Sequence, residues 1–231
     1  MIVICNGAFK SGSSWLMNIV CQLTTPAAIA QEWRNPEWVN PSIHPDKLAG
    51  FLSAHTGRSA AYVSKNHLGK PEHRALLLDN GAGDVHVMNI TRDIRDVIVS
   101  AYYHAARVDG YVGSFGNYLH DKGIDVAKWV CSYNQLWSSP HERLHVASYE
   151  RLILDPDKEI EAMSRFLKLD HGMEKIREIR AKTSFDALKS RSGHPHFRKG
   201  IIGDWKNHLT EADAAMLRGI LPSWAFLSEA D

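Results

Sequence analysis

The residues with the clearest chemical potential sit near the start of the chain, in Gly7-Ala8-Phe9-Lys10-Ser11-Gly12-Ser13-Ser14. A glycine-rich loop that opens a helix exposes backbone N–H groups, and a helix N-terminus favours negative charge, so such a loop is an anion cradle. Against the nucleotide-binding pattern GxxxxGK(S/T), Gly7, Gly12 and Ser14 are in register, but Ser13 stands at the lysine position and the lysine has moved to Lys10. The cradle is kept while the β/γ-phosphate lysine of an NTPase is missing. Taken alone, the loop reads equally as an ordinary strand–helix turn. Arg92 falls where a strand gives way to a helix and can present its guanidinium fork to a phosphate, with Ser100 two turns on as a hydroxyl donor; the plainer reading is an ion pair with Asp96. Arg198-Lys199-Gly200 sets two cations beside a glycine whose backbone can approach an anion, or is simply a solvated basic loop. Among 13 histidines, His67 in Lys65-Asn66-His67 stands out by following a strand beside a lysine, with an intrinsic pKa suited to taking a proton near neutral pH. His194-Pro195-His196 offers two imidazoles and no third ligand, so no metal is predicted.

These groups need a frame to bring them together. Ile2 to Cys5 is an apolar, β-rich run that stops at Asn6-Gly7, as in a strand buried on both faces. From Ser13 the period changes: Trp15, Leu16, Ile19, Val20 and Leu23 form one helical face. Pro26, Pro36, Pro41 and Pro45 break residues 25–57 into loops and short pieces. Residues 60–64 and 85–90 read as further strands, and a helix starts near Asp93, an acceptable N-cap, with Ile94, Val97, Ile98, Ala101 and Tyr102 on one face. Residues 109–123, with glycines and aromatics, read as a mobile surface segment; 126–137 as a helix; 144–147 as a fourth strand. Asp155-Pro156 opens a helix through Ile160, Met163, Phe166 and Leu167, and helices follow over 172–182 and 210–220, with 190–208 a polar, basic loop. Strands alternating with helices predict an α/β fold with a mainly parallel central sheet flanked by helices, in one domain over 1–231.

Composition narrows the function. The 27 Lys+Arg nearly cancel 26 Asp+Glu, leaving a formal charge of +1 over 231 residues, so no global field marks a nonspecific nucleic-acid binder. Any anion must be held by local geometry. Cys5, Cys21 and Cys131 are odd in number and widely spaced, which supports neither a zinc ribbon nor a disulfide framework. No run approaches the roughly 20 apolar residues of a membrane span, and Met1-Ile-Val-Ile has no basic leader. A cytoplasmic protein without membrane or nucleic-acid partners is expected.

Five blocks in order carry a resemblance. Lys10-Ser11-Gly12-Ser13-Ser14-Trp15 is similar to the 5′-phosphosulfate loop of sulfotransferases that use 3′-phosphoadenosine 5′-phosphosulfate (PAPS). Thr91 to His104 resembles their 3′-phosphate segment, with Arg92 and Ser100 spaced alike. Ser148-Tyr149-Glu150-Arg151-Leu152 resembles a YEDL-type stretch, Thr183-Ser184-Phe185-Asp186-Ala187-Leu188-Lys189 a TSFxxMK pattern, and Phe197 to His208 the RKGxxGDWKN signature. The resemblance implies a P-loop NTPase-like sulfotransferase fold, an enzyme that moves the sulfuryl group from PAPS to a hydroxyl or amine of a small-molecule acceptor, and release of PAP. It implies that Lys10, Ser11, Gly12, Ser13, Ser14 and Trp15 cradle the cofactor. Arg92, Ser100, Phe197, Arg198, Lys199 and Gly200 would meet its 3′-phosphate end, and Trp15, Tyr149, Thr183 and Phe185 its adenine. His67, in an element like the family's KxH, would be the general base. Lys10 would act at the leaving oxygen and Lys65 at the sulfuryl oxygens.

The sequence departs from that pattern in places. Phe9 replaces the usual proline before the loop lysine. The first strand begins at residue 2, where cytosolic members carry an additional segment, so the acceptor pocket is expected to be more open or completed by 25–57 and 104–123. Of the family dimer motif KxxxTVxxxE only Lys206 and Thr210 match, with Glu211 and Ala215 in place of Val and Glu, leaving the oligomeric state undecided. A P-loop kinase for a small metabolite and a noncatalytic PAP-binding module are the competing readings.

Overall fold

Every residue of strand β1, Ile2–Gly7, is buried. In the computed structural model, which describes residues 1–79, 83–192 and 199–226, β1 is the centre of a parallel sheet. It pairs with β2 (Tyr62–Asn66) on one side and β3 (Val85–Thr91) on the other; β4 (Leu144–Ser148) pairs with β3, giving the order β2-β1-β3-β4. A central parallel strand is covered on both faces, which is why its sequence is continuously apolar. Side chains alternate between two cores: Ile2 and Ile4 pack with Phe51, Val97, Ile98 and Trp137, whereas Val3 and Cys5 pack with Leu16, Ile19, Val20 and Met163.

Helices cover both faces. On the Val3 side lie α1 (Ser13–Thr24), α8 (Pro156–Phe166) and α9 (Met173–Thr183), with the short α7 (Tyr149–Leu154) leading out of β4. On the Ile2 side lie α2 (Leu48–His55), α4 (Ile94–Val108) and α6 (Ile124–Leu136). The short turns α3 (Pro71–Arg74) and α5 (Phe115–Tyr118), then α10 (Phe185–Ser192) and α11 (Glu211–Ile220), complete the helical elements. Asp93 caps α4 by accepting from Arg95 N at 2.8 Å. Thr210, the threonine of the half-present dimer motif, forms a capping box with Asp213 at the start of α11, a local duty that accounts for it without a partner chain.

The expected α/β architecture is present, with three local corrections. Residues 25–57 contain a true helix, α2, because Leu48, Phe51 and Leu52 share a buried face that the surrounding prolines do not interrupt. Residues 109–123 are not a loose surface segment: α5 begins at the Ser114 cap, and Tyr118, Leu119 and Gly123 are buried. Strand β2 runs over Tyr62–Asn66 instead of 60–64, so Lys65 and Asn66 lie inside the sheet. Among the described residues no helix is long and apolar enough to cross a membrane.

The register explains that shift. Asn66, Asn6 and Asn89 stand side by side on β2, β1 and β3 near the carboxyl ends of the strands. Asn6 Nδ2 donates to Asn89 Oδ1 at 3.2 Å, and Asn6 Oδ1 accepts from Leu68 N at 2.9 Å. Asn66 Nδ2 donates to the Ile43 carbonyl at 2.9 Å while Lys65 N donates to the Pro41 carbonyl at 2.9 Å. Residues 41–43 are thereby laid along the outer edge of β2, shielding it. An Asn6→Ala variant strands the buried Leu68 N–H and one face of Asn89, and should lose on the order of 3 kcal/mol of stability in urea denaturation; an unchanged midpoint would show that water or repacking satisfies both groups.

Candidate active site

The carboxyl ends of β1 and β2, the start of α4 and the 199–201 segment meet around one cleft. Lys10, Gly12, Ser13 and Ser14 form one wall with Trp15 and Tyr149 in contact beside them, Lys65 and His67 form the floor, and Arg92 and Ser100 complete the lining with Phe185, Lys199 and Gly200 at the rim. Residues scattered over the sequence are thus collected as expected. Phe197 and Arg198, like His194 and His196, lie outside the described residues.

The loop turns on two left-handed residues, Lys10 at φ 65° and Gly12 at φ 103°. A Cβ on Gly12 would come 2.8 Å from Tyr149 Cδ2, so only glycine lets α1 begin this close to the Tyr149 ring. Ser11 is fully buried beneath the loop, with Oγ lacking a hydrogen-bond partner among the described residues. Thr183, expected at an adenine ring, does not line this cleft. Its Oγ1 donates back to the Ile179 carbonyl at 2.7 Å, and its own carbonyl accepts from Trp15 Nε1 at 2.8 Å, so it orients the indole. Trp15 meets Tyr149 edge-on at 5.4 Å. Behind Trp15 and Phe185 an apolar hollow continues between Leu152, Ile153 and Ile160. Gly200 lines the cleft and has a packing duty besides: at φ 66°, a Cβ there would stand 2.4 Å from Phe185 Cδ2, so the missing side chain admits an aromatic.

Arg92 makes the ion pair with Asp96 that its sequence position allowed and also lines the cleft. Its guanidinium is 3.9 Å from Asp96 Oδ2, donates to the Ile201 carbonyl at 3.4 Å and lies over the Tyr149 ring at 4.1 Å, while lining the cleft with a buried Nε that lacks a partner among the described residues. Asp96 also accepts from Gly203 N at 2.8 Å and Trp205 N at 2.9 Å. Burial pushes its carboxyl above the ordinary range, against the pull of Arg92 and these N–H groups. Lys199 is paired with the buried Asp204 at 2.7 Å, so it reaches the rim already neutralised on one side.

His67 is the most constrained group of the floor. Its Nδ1 lies 2.5 Å from the Gly7 carbonyl, which makes Nδ1 the protonated nitrogen and leaves Nε2 with the lone pair. Nε2 lies 3.2 Å from Lys65 Nζ. Burial first, then the charges of Lys65 and Lys10, hold its pKa down at about 4. Burial lowers the Lys65 ammonium to about 8. Two further residues of this region lie in the stretches 25–57 and 104–123 expected beside the acceptor, though neither was singled out there. Trp38, carried on a small hairpin in which Arg34 opposes Ile43, lies 4.7 Å from Lys65 Nζ and 5.1 Å from the His67 ring. His104, on α4, meets Phe9 edge-on at 5.1 Å, its pKa lowered by burial and by Lys10. An aromatic between Pro36 and Pro41 was the available signal for Trp38. Among the described residues no group of three or more His, Cys, Asp or Glu side chains is placed to hold a metal ion.

The family model described as the sulfotransferase domain matches residues 2–223. The chain belongs to the sulfotransferase family. This sulfotransferase is 26% identical over 234 residues to the 3-beta-hydroxysteroid sulfotransferase of Cavia porcellus, an alignment covering 89% of this chain and 77% of the relative. In fold it resembles mouse sulfotransferase SULT7A1 complexed with PAP, with a TM-score of 0.73 at 16% identity over 94% of this chain and 82% of that one. A retinol dehydratase in complex with androsterone and the inactive cofactor PAP gives a TM-score of 0.63 at 17% identity over 94% and 78%. The resemblance drawn from the five sequence blocks is thereby established at the level of family and fold.

The low pKa of His67 makes a signed prediction for the sulfotransferase. Between its ordinary 6.5 and the folded value of about 4, the unfolded chain binds a proton that the folded chain does not. Stability therefore falls as pH drops through this window, by up to about 3 kcal/mol. Urea denaturation from about pH 7 to about pH 4.5 should show a steeper acid loss for wild type than for His67→Gln; parallel curves would refute the assignment.

Proposed function

We propose that the cleft binds PAPS and transfers its sulfuryl group to a hydroxyl or amine of a small-molecule acceptor, in the cytoplasm, with His67 as general base. The observation that carries this reading is the meeting of a Gly12-containing anion loop, the partnerless buried Arg92 Nε and a tautomer-fixed His67 in one cleft. The PAP held by the fold neighbours supports the same ligand class. The steroid named for the guinea-pig relative supports a small acceptor. Free Cys5, Cys21 and Cys131 accord with a reducing compartment.

The residues present fit the nucleotide. The first turn of α1 and the bare face of Gly12 would cradle the 5′ end, with Arg92, Ser100 and Lys199 at the 3′-phosphate. Trp15, Tyr149 and Phe185 provide flat faces beside the apolar hollow for the base, Thr183 acting through the indole it holds. PAPS supplies a sulfur–oxygen bond that breaks, its electron pair leaving on the phosphate oxygen, as the acceptor oxygen or nitrogen bonds to sulfur. His67 Nε2 takes the acceptor proton, since Nδ1–H is committed to Gly7. Lys10 and Lys65 stabilise charge on the leaving and sulfuryl oxygens. Bound anions offset the two lysine charges that now depress His67, bringing its pKa toward the range in which a base works near neutral pH. Phe9, His104 and Trp38 provide aromatic surface next to this floor for the acceptor.

Two measurements test the reading. PAP should stabilise the protein to heat by about 2.7 kcal/mol at one hundred times its dissociation constant, and ADP with Mg²⁺ should do far less; equal stabilisation would favour a kinase. Replacing His67 by alanine should cut PAPS turnover by roughly 10²–10⁴-fold while PAP affinity changes little. Full turnover in that variant would remove His67 as base, and absence of turnover in wild type over phenols, alcohols, amines and sugars would favour a noncatalytic PAP-binding module.

A further inference from the structure

The contact between Lys65 and His67 has a consequence for the order in which ligands engage. The lone pair that must take the acceptor proton is on His67 Nε2, and Lys65 Nζ stands 3.2 Å from that atom. An ammonium has only hydrogens to offer, so in this arrangement Lys65 donates to Nε2 and fills its acceptor capacity. The imidazole cannot turn to present its other nitrogen, because Nδ1 is tied to the Gly7 carbonyl at 2.5 Å and Gly7 is itself held on its other side by its N–H, which donates to Tyr133 Oη at 3.2 Å.

Lys65 is also poised to leave. It is buried in β2, yet burial is the sole resolved influence on its pKa, and among the described residues it has no carboxylate partner. What holds Nζ is the His67 ring and the face of Trp38 at 4.7 Å. A cation–π contact and one hydrogen bond to neutral imidazole are weak restraints beside the attraction of an anion in a cleft shielded from water. The charged groups facing His67 are Lys65 on β2 and Lys10 on the loop after β1, both cationic.

We infer that Lys65 is an internal lock on the base: in the nucleotide-free enzyme its ammonium caps His67 Nε2, and the anionic phosphosulfate end of the donor must draw it away before an acceptor hydroxyl can engage the imidazole. The inference rests on the proposed donor reading for its trigger, but the lock itself is a property of the free protein. It gives Lys65 two successive partners and imposes donor before acceptor. It also keeps the base covered while no anionic 5′ end occupies the cleft.

The test follows the His67 ring by NMR in wild type and Lys65→Met, with Lys65→Gln in reserve should the methionine variant fail to fold. In the free proteins, the His67 pKa should be higher in the variant by about 1 unit or more, and the Nε2 resonance should lose the signature of an accepted hydrogen bond. Adding PAP should raise the wild-type pKa toward the variant's while moving the variant much less. Identical His67 titrations in free wild type and variant would overturn the lock whatever PAP does. A PAP-induced shift equal in both proteins would overturn the trigger. Failure of PAP to bind wild type at all, seen as no thermal shift, would count against the donor reading and the trigger together, while the free-protein comparison would still decide the lock.

Discussion

Gly7 is the joint on which the cleft depends. Its N–H reaches Tyr133 on α6, its carbonyl fixes His67 after β2, and its missing side chain makes room for Ile90 on β3, where a Cβ would stand 2.7 Å from Cγ2. One residue thus sets the distance between the three strands that lead into the loop, His67 and Arg92. Tyr133 is buried, and its phenol is pushed far above its ordinary pKa, so it serves here as a neutral hydrogen-bonding post.

A chain of formal charge +1 makes a strongly basic cleft by placing its carboxylates behind the cations. Asp96 sits under Arg92 and Asp204 under Lys199, each buried, and each also tied to other groups of the 203–207 turn. A half-neutralised cation costs less to bury and is held in direction, while retaining N–H groups for a ligand. Among the described residues Lys65 and His67 have no such carboxylate backing, and burial moves the pKa of each well down, to about 8 and about 4.

Much of this was legible in the residues. Continuous apolar runs and the period change at Ser13 located β1 and α1, because a parallel central strand and an amphipathic helix leave unlike patterns. Ordered motif blocks picked out Lys10, His67, Arg92 and Lys199 across nearly 190 residues of separation, as Lys10 and Lys199 illustrate. What stayed hidden depends on contacts at long range. Thr183 and Gly200 were read as ligand contacts, and their packing duties, one orienting Trp15 and the other making space for Phe185, were not foreseen. Trp38 could not be placed over Lys65 without knowing that Asn66 binds the Ile43 carbonyl. The helical nature of 115–123 was masked by its glycines, of which Gly123 serves packing against Ile98.

The hydrogen bond from the Trp15 indole to the Thr183 carbonyl spans 168 positions, and those from the 203–205 turn to Asp96 span 107 and 109. The cleft is consequently among the last parts of the molecule that a growing chain can finish. During synthesis the sheet strands, the basic loop and Arg92 emerge first, with the 183–185 and 199–205 segments still inside the ribosome. For that interval the nascent protein carries the cations Lys10 and Arg92 without the C-terminal contacts that hold Trp15 and Asp96 in place.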